Sequence, residues 1–474
     1  MPYSTRNNVK NTLPTFLTLL ATMLLIVTPV WADSVVAMVP TTGTYPYRVA
    51  VNPVTNQIYV ANSGNANVTV IDGFTNNTST VMTDNGPGAI AVNPATNKIY
   101  VVTSSDTVTM IDGTTHSTTT IPVGTYPEAI AVNSVTDKIY VTNFFSNTIT
   151  VIDGATNSTT TITGGFFPRG IALNTVTNQI YVTNYSSGTV TVIDGATNTT
   201  TEITTDSGPY SIAVNPVSNK VYVANAGSDT VTVIDGATNS TTTIVVGTSP
   251  GSIEVNPLTN KIYVQSSSNT LTVIDGSTNA TSTILIGGQM SFNMAINATA
   301  NKIYVGDAIT NTITVLDAAT NSIAKITAGV QPAGIAVNLA TNNVYVANSY
   351  SNNVTVLGDS GVDTLAPTLS GVSASPSLIN TRFDETTTIQ FTLADNFSAS
   401  CSVAARIFNS SNVMVTTLYN DTPCPSSGAA SYLTWNGRDN TGTLVPSGTY
   451  LYMVRGSDRV MNRSNIQIGR VDVR

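Results

Sequence analysis

A unit of 40 or 41 residues recurs along most of this chain, and that period limits what the chain can fold into more than any other feature. The pattern NPxTNxIYV opens at Asn52, Asn93, Asn133, Asn174, Asn215, Asn256, Asn297 and Asn338, eight copies in all. Its tyrosine returns as Tyr59, Tyr100, Tyr140, Tyr181, Tyr222, Tyr263, Tyr304 and Tyr345. A repeat of this length is one supersecondary unit that buries its apolar surface only by packing on its neighbours. Each copy holds four short β-prone runs, as in Ala129 to Asn133 (AIAVN), Lys138 to Thr142 (KIYVT), Thr148 to Ile152 (TITVI) and Thr159 to Thr163 (TTTIT). Four strands per repeat make a β-propeller blade, whereas leucine-rich repeats are shorter and helical arrays need helix formers. The expected fold is all-β, an eight-bladed β-propeller over residues 33–358.

Composition agrees with strands packed on both faces. Only 9% of residues are charged, and Thr, with a methyl and a hydroxyl, suits a surface between blades better than charge does. The net charge of −8 and the absence of a Lys/Arg cluster remove the footprint that nucleic acid or an anionic membrane surface requires. Nucleic acid is therefore not an expected partner.

The turns carry their own chemistry. Between the first and second strands the fifth turn position is Asn56, Asn97, Asp137, Asn178, Asn219, Asn260, Asn301 and Asn342, residue types that tolerate positive φ. Between the third and fourth strands DGxTN recurs, opened by Asp72, Asp112, Asp153, Asp194, Asp235, Asp275 and Asp317. Local Asx bonding explains these aspartates without a metal ion. His116, the one histidine, stands where most copies have Asn and reads as a turn residue.

Bookkeeping of strands predicts how the ring closes. The eighth copy supplies three strands ending near Leu357 and no fourth, while Val35 to Val39 (VVAMV) precedes the first copy as an unattached strand of the fourth type. Placed outermost in the last blade, it completes eight blades.

The IYVAN, IYVTN and VIDGATN segments resemble the YVTN-repeat β-propellers of archaeal surface-layer proteins and many exported bacterial proteins, over residues 33–358. Members of that family usually have seven blades, so eight copies are a departure. The resemblance implies a surface or periplasmic setting and supplies no catalytic residues.

Both ends of the chain fit export. Arg6 and Lys10 precede an apolar stretch from Phe16 to Val27, and small or permitted residues lead to Ala32, which reads as a signal peptide over 1–32. The alternative, an uncleaved anchor, is disfavoured because the stretch is too short to span comfortably. No membrane span is expected after cleavage, and the location would be periplasmic, cell-surface or extracellular. Residues 359–367 read as a linker. Strand-like runs at Thr386 to Leu393, Val403 to Phe408, Ser431 to Trp435 and Gly448 to Arg455 predict an immunoglobulin-like β-sandwich over 368–474. The segment Trp435 to Tyr450, WNGRDNTGTLVPSGTY, resembles the FlgD-like immunoglobulin-type domain of secreted bacterial proteins, which implies a structural or anchoring module. Asp439 and Asn440 are expected to bond the backbone of a tight turn there. Cys401 and Cys424, the only cysteines, are expected to form a disulfide after export.

The residues point away from ordinary enzymology. One histidine, no serine with a neighbouring base and no cysteine outside the C-terminal pair leave zinc sites and nucleophilic triads without parts. No catalytic residue, metal or cofactor is expected. Glu254 is the main acidic interruption of the AIAVN strand, a thin basis for a lactonase- or lyase-like enzyme. A surface-layer or envelope assembly component is the other alternative. The favoured reading is a non-catalytic binding or display protein that meets a protein or glycan at the cell envelope. Its candidate residues come from comparing copies: the loops opposite the invariant turns vary and gather aromatics. They are Tyr45, Tyr47 and Arg48 in blade one, Tyr126, Glu128, Phe144 and Phe145 in blade three, Phe166, Phe167, Arg169 and Tyr185 in blade four, with Tyr210, Phe292 and Tyr350. Aromatics and Arg dominate interface energetics. The competing explanation is that these side chains merely cover the blade ends.

Overall fold

A computed structural model describes residues 33–287, 293–359, 367–394, 400–411, 413–423, 428–457, 464 and 466–474. The expected signal segment, Phe292 and Cys424 lie outside the described residues. Each of the first seven repeats forms one four-stranded antiparallel sheet with its strands in chain order. The third sheet, for example, consists of Pro127–Asn133, Lys138–Asn143, Thr148–Asp153 and Thr159–Thr163. The eighth takes Pro332–Val337, Val344–Asn348 and Asn353–Asp359, and its outermost strand is Asp33–Pro40, from the other end of the propeller-like region. That strand runs antiparallel to Asn353–Asp359, with Val39 opposite Val354 and Asp33 opposite Asp359. It is longer at both ends than the expected Val35 to Val39, and the third strand of the eighth repeat runs on through Asp359.

The first strands of the eight sheets touch one another in a closed circle, the first sheet meeting both the second and the eighth. The sheets thus form a propeller-like ring. Cores lie between neighbouring sheets: Tyr140, Ile149, Val151 and Ile162 of the third pack on Ile180, Val182 and Ile193 of the fourth. All eight repeat tyrosines are at most 2% exposed. The outermost strand of the third sheet, Thr159–Thr163, buries Ile162 alone. Thr on its exposed positions leaves no apolar edge to recruit another strand.

A second circle joins the sheets through side chains. The Asn that opens each repeat donates its amide N–H to the positive-φ turn residue of the next repeat. The links run Asn52 to Asn97, Asn93 to Asp137, Asn133 to Asn178, Asn174 to Asn219, Asn215 to Asn260, Asn256 to Asn301 and Asn297 to Asn342, with Asn338 closing back on Asn56 at 2.6 Å. The Oδ1 of the same asparagines accepts turn N–H groups, as Asn215 does from Val217 and Ser218. All eight opening asparagines are essentially unexposed, so each link also satisfies a buried polar group. The recipients need positive φ, and all eight have it, between 51° and 56°.

The aspartates of the second turn behave as Asx residues: Asp153 Oδ1 accepts N–H groups of Ala155 and Thr156 and the Thr156 hydroxyl. These bonds hold its carboxyl below the usual range. His116 has φ 59°, like Asn157 and Asn198 at the same place in other copies, at 60° and 61°.

From Thr368 onward two further sheets share one core. A three-stranded sheet contains Thr368–Ser375, Thr387–Ala394 and Ala429–Trp435, and a five-stranded sheet contains Leu378–Ile379, Gln467–Val473, Gly448–Ser457, Ser400–Phe408 and Met414–Pro423. Ile389, Phe391, Leu433 and Trp435 meet Val403, Ile407, Tyr452 and Val471 between them. Asp439 Oδ1 accepts from the Thr441 and Thr443 N–H groups, and Asn440 Oδ1 from that of Thr417, at 2.9, 2.9 and 3.3 Å. Cys401 is buried in this core. Strands at Thr368–Ser375, Met414–Pro423 and Gln467–Val473 were not among those expected.

Candidate functional site

Three local devices build the face opposite the invariant turns. A loop joins the second and third strands, a junction residue ends the crossing from one sheet to the next, and the first strand then opens with a β-bulge. In the described junctions the strand starts on proline, and the ladder slips just after it, at Pro46/Arg48, Pro87/Ile90, Pro127/Ala129, Pro168/Ile171, Pro209/Ser211, Pro250/Ser252 and Pro332/Gly334. A bulge leaves one residue out of the ladder and re-aims its side chain. The residues so placed include Tyr47, Glu128, Arg169 and Tyr210, at the inner rim where the first strands meet.

Three of them form a connected polar chain across three sheets. Arg169 Nε lies 3.0 Å from Glu128 Oε1. The same guanidinium donates to the Tyr210 hydroxyl at 3.1 Å and sits 4.0 Å from the Tyr210 ring centroid. Tyr185 packs edge-on to Tyr210 at 6.5 Å. Burial raises the Glu128 carboxyl above its ordinary value, against the pull of Arg169 and Arg48. Arg48 stands over the Tyr47 ring at 4.7 Å and donates to Asn293.

Beside this chain lies an aromatic cluster from two sheets. Phe144 and Phe167 stack with centroids 4.6 Å apart and planes 8° from parallel. Phe145 meets Phe144 at 5.2 Å, and Tyr126 meets Phe145 at 4.7 Å and Phe144 at 5.9 Å. Arg169 joins the two groups, 6.0 Å from the Phe144 centroid. Tyr126 and Phe145 remain more than half exposed.

Of the residues expected from sequence, the structure brings together Tyr126, Glu128, Phe144, Phe145, Phe167, Arg169, Tyr185 and Tyr210. Tyr45 and Tyr350 pair separately at 5.7 Å, and Tyr47 goes with Arg48. Phe166 is 65% exposed. Asn293 was missed, as was the order of the Glu128–Arg169–Tyr210 chain. Aligning the residue after each junction proline, Tyr47, Gly88, Glu128, Arg169, Tyr210, Gly251 and Ala333, brings out a varied position but not its contacts, and Asn293 follows no proline.

Glu254 occupies the place held by Ala in the other seven first strands, opposite Tyr263. Surrounded by protein at the inner side of the ring and only partly exposed, its carboxyl is pushed up by desolvation to about 7. Among the described residues no group of three or more His, Cys, Asp or Glu is arranged to hold a metal ion.

No family model matches the chain, and no curated protein matches it in sequence. Among solved structures the chain is similar to Kuenenia stuttgartiensis hydrazine synthase, at 18% identity and a TM-score of 0.50, over 68% of this chain and 97% of that one. At that identity the likeness concerns the fold alone. It agrees with a propeller-like arrangement of the four-stranded sheets.

Proposed function

We propose that this protein is an exported, non-catalytic binding or display protein: an eight-bladed β-propeller of the YVTN type, closed by its N-terminal strand and followed by a FlgD-like immunoglobulin-type sandwich. Its partner sits at the cell envelope and is held by the loop face of the third, fourth and fifth blades. The observation that carries this reading is the joining of Tyr126, Phe144, Phe145 and Phe167 into one partly exposed aromatic cluster against the Glu128–Arg169–Tyr210 chain. Exposed aromatic area beside a partly buried ion pair is the pattern of an interface hot spot.

Ring geometry favours a protein partner over a glycan. A sugar stacks on an open, flat ring face flanked by hydrogen-bonding groups. Here Phe144 and Phe167 cover each other's faces, and Phe145 is turned 67° and 75° from them. The cluster therefore offers edges and clefts, which suit an inserted apolar side chain.

Cell fractionation followed by probing the mature protein against envelope proteins and cell-wall glycans identifies the partner. Replacing Phe144, Phe145 and Phe167 together with Ser is expected to leave the far-ultraviolet circular dichroism spectrum intact and to abolish that binding. Unchanged affinity in the folded triple variant overturns the assignment of the face.

A further inference from the structure

Seven first strands of the ring open on proline, and the residue before each has positive φ: Tyr45, Gly86, Tyr126, Phe167, Gly208, Ser249 and Gln331. A proline follows each, and a residue before proline prefers extended backbone with negative φ. For a bulky side chain positive φ is an outlier that persists only where its surroundings enforce it.

The five that are not glycine share one enforcing contact. Each donates its backbone N–H to an Asx side chain in the loop of the preceding sheet: Tyr45 to Asn352, Tyr126 to Asp106, Phe167 to Asn147, Ser249 to Asp229 and Gln331 to Asn311, at 2.8 to 3.0 Å. These acceptors themselves have φ between 50° and 60°. Where the corresponding loop position is Ala66 or Gly188, with no side-chain acceptor, the junction residue is Gly86 or Gly208. At these seven junctions a side chain thus stands only where an Asx on the neighbouring sheet holds it.

We infer that this pair of positions sets the specificity of the binding face, Asn147, Asp106 and Asn352 being positioning residues that lock Phe167, Tyr126 and Tyr45 toward the partner. The inference rests on the binding reading above. Ser249 and Gln331 use the same contact, so the backbone does not demand an aromatic there. Yet three of the five held residues are aromatic, and each packs on an aromatic of a loop: Phe167 on Phe144, Tyr126 on Phe144 and Phe145, and Tyr45 on Tyr350. Bulky side chains, outliers at positive φ, are thus kept where they pack on another aromatic.

Asn147→Gly removes the acceptor while tolerating φ 57° at that position, and adding Phe167→Gly recreates the natural Gly188 and Gly208 combination. In the full protein, Asn147→Gly alone is expected to lower the melting temperature by about 3 °C or more, and by less than about 1 °C in the Phe167→Gly background. The Phe167 amide should also exchange with solvent at least about tenfold faster in Asn147→Gly. Equal losses in both backgrounds, or unchanged exchange, overturn the positioning role. If Asn147→Gly fails to fold, Asp106→Gly with and without Tyr126→Gly runs the same cycle on another pair.

The specificity arm uses a random twelve-residue peptide library displayed on phage and selected on the parent protein. Consensus peptides should bind Phe167→Ser at least about tenfold more weakly at unchanged melting temperature, Ser being tolerated as at Ser249. Retained affinity overturns the specificity role. A library that yields no consensus on the parent counts against the binding reading and the specificity role with it, while the melting cycle still decides the positioning role.

Discussion

The two faces of the ring are made from the same repeats and obey opposite rules. On the turn face every copy makes the same contact: an opening Asn bonded to the next copy's positive-φ turn residue, with seven Asn acceptors and one Asp. On the loop face the equivalent positions hold Tyr, Gly, Phe, Ser or Gln at the junction, and Tyr, Gly, Glu, Arg or Ala at the bulge. Regularity is found where neighbouring copies must fit each other. Variation is found where the backbone has been fixed by other means, and a side chain is free to serve something outside the fold.

This contrast predicts that stability resides in closure and in the turn face. The largest effect is expected from removing the closing strand. A protein beginning at Thr41 loses the antiparallel pairing of Asp33–Pro40 and the Asp33–Lys302 ion pair at 3.2 Å. The loss should be about 4 kcal/mol or more, given roughly 1 kcal/mol per hydrogen bond and the burial of Val39. Calorimetry comparing it with a protein beginning at Asp33 should find a midpoint lower by about 10 °C. Equal midpoints break the closure argument.

Next comes a single link of the turn face. Asn215→Ala removes the bond to Asn260 and strands two turn N–H groups. Urea unfolding should register a loss of about 2–3 kcal/mol. A loss no larger than that of an average surface substitution means the side-chain circle is incidental.

Glu254 lies between the faces and gives a pH-dependent test. Its folded-state carboxyl, raised from 4.5 to about 7, favours the protonated form. The folded state therefore binds the proton more tightly than the unfolded chain, and stability falls as pH rises from 4.5 to 7. Glu254→Ala, the residue of the other seven copies, should be more stable than the parent at pH 8 by about 2 kcal/mol, with the gain vanishing near pH 4. Denaturant midpoints at the two pH values measure this, and a pH-independent difference contradicts it.

The smallest effect is expected on the loop face, where Phe166→Ser at a 65% exposed position should change stability by less than about 0.5 kcal/mol. A larger loss sharpens the comparison against us, because it makes Phe166 part of the scaffold.

The period made some features legible and hid others. Asn56 and its counterparts were readable as positive-φ residues because eight copies display a short Asn or Asp side chain at one turn position. Tyr126 and Phe167 adopt the same φ sign, but nothing in an aromatic side chain announces it. The signal was one blade away, in Asp106 and Asn147. The bulges were hidden because one extra residue after a proline leaves the strand's apolar alternation nearly unchanged. The expected aromatic face was legible as composition, whereas the Glu128–Arg169–Tyr210 order depends on which sheets are neighbours. In the C-terminal sheets Gly371 and Gly469 interrupt the alternation of Thr368–Ser375 and Gln467–Val473, and those strands escaped notice.

The circle of side-chain bonds bears on how the molecule comes apart. An open array of repeats frays from its two terminal units, which have a neighbour on one side only. Here Asn338 bonds Asn56, and the first and last repeats are as enclosed as the middle ones. Local opening has no favoured starting blade except the eighth, the one sheet whose strands come from opposite ends of the region. Amide hydrogens of Asn353–Asp359, facing the borrowed strand, should therefore be the first of the interior strands to exchange, and the remaining blades should exchange together at a single slower rate.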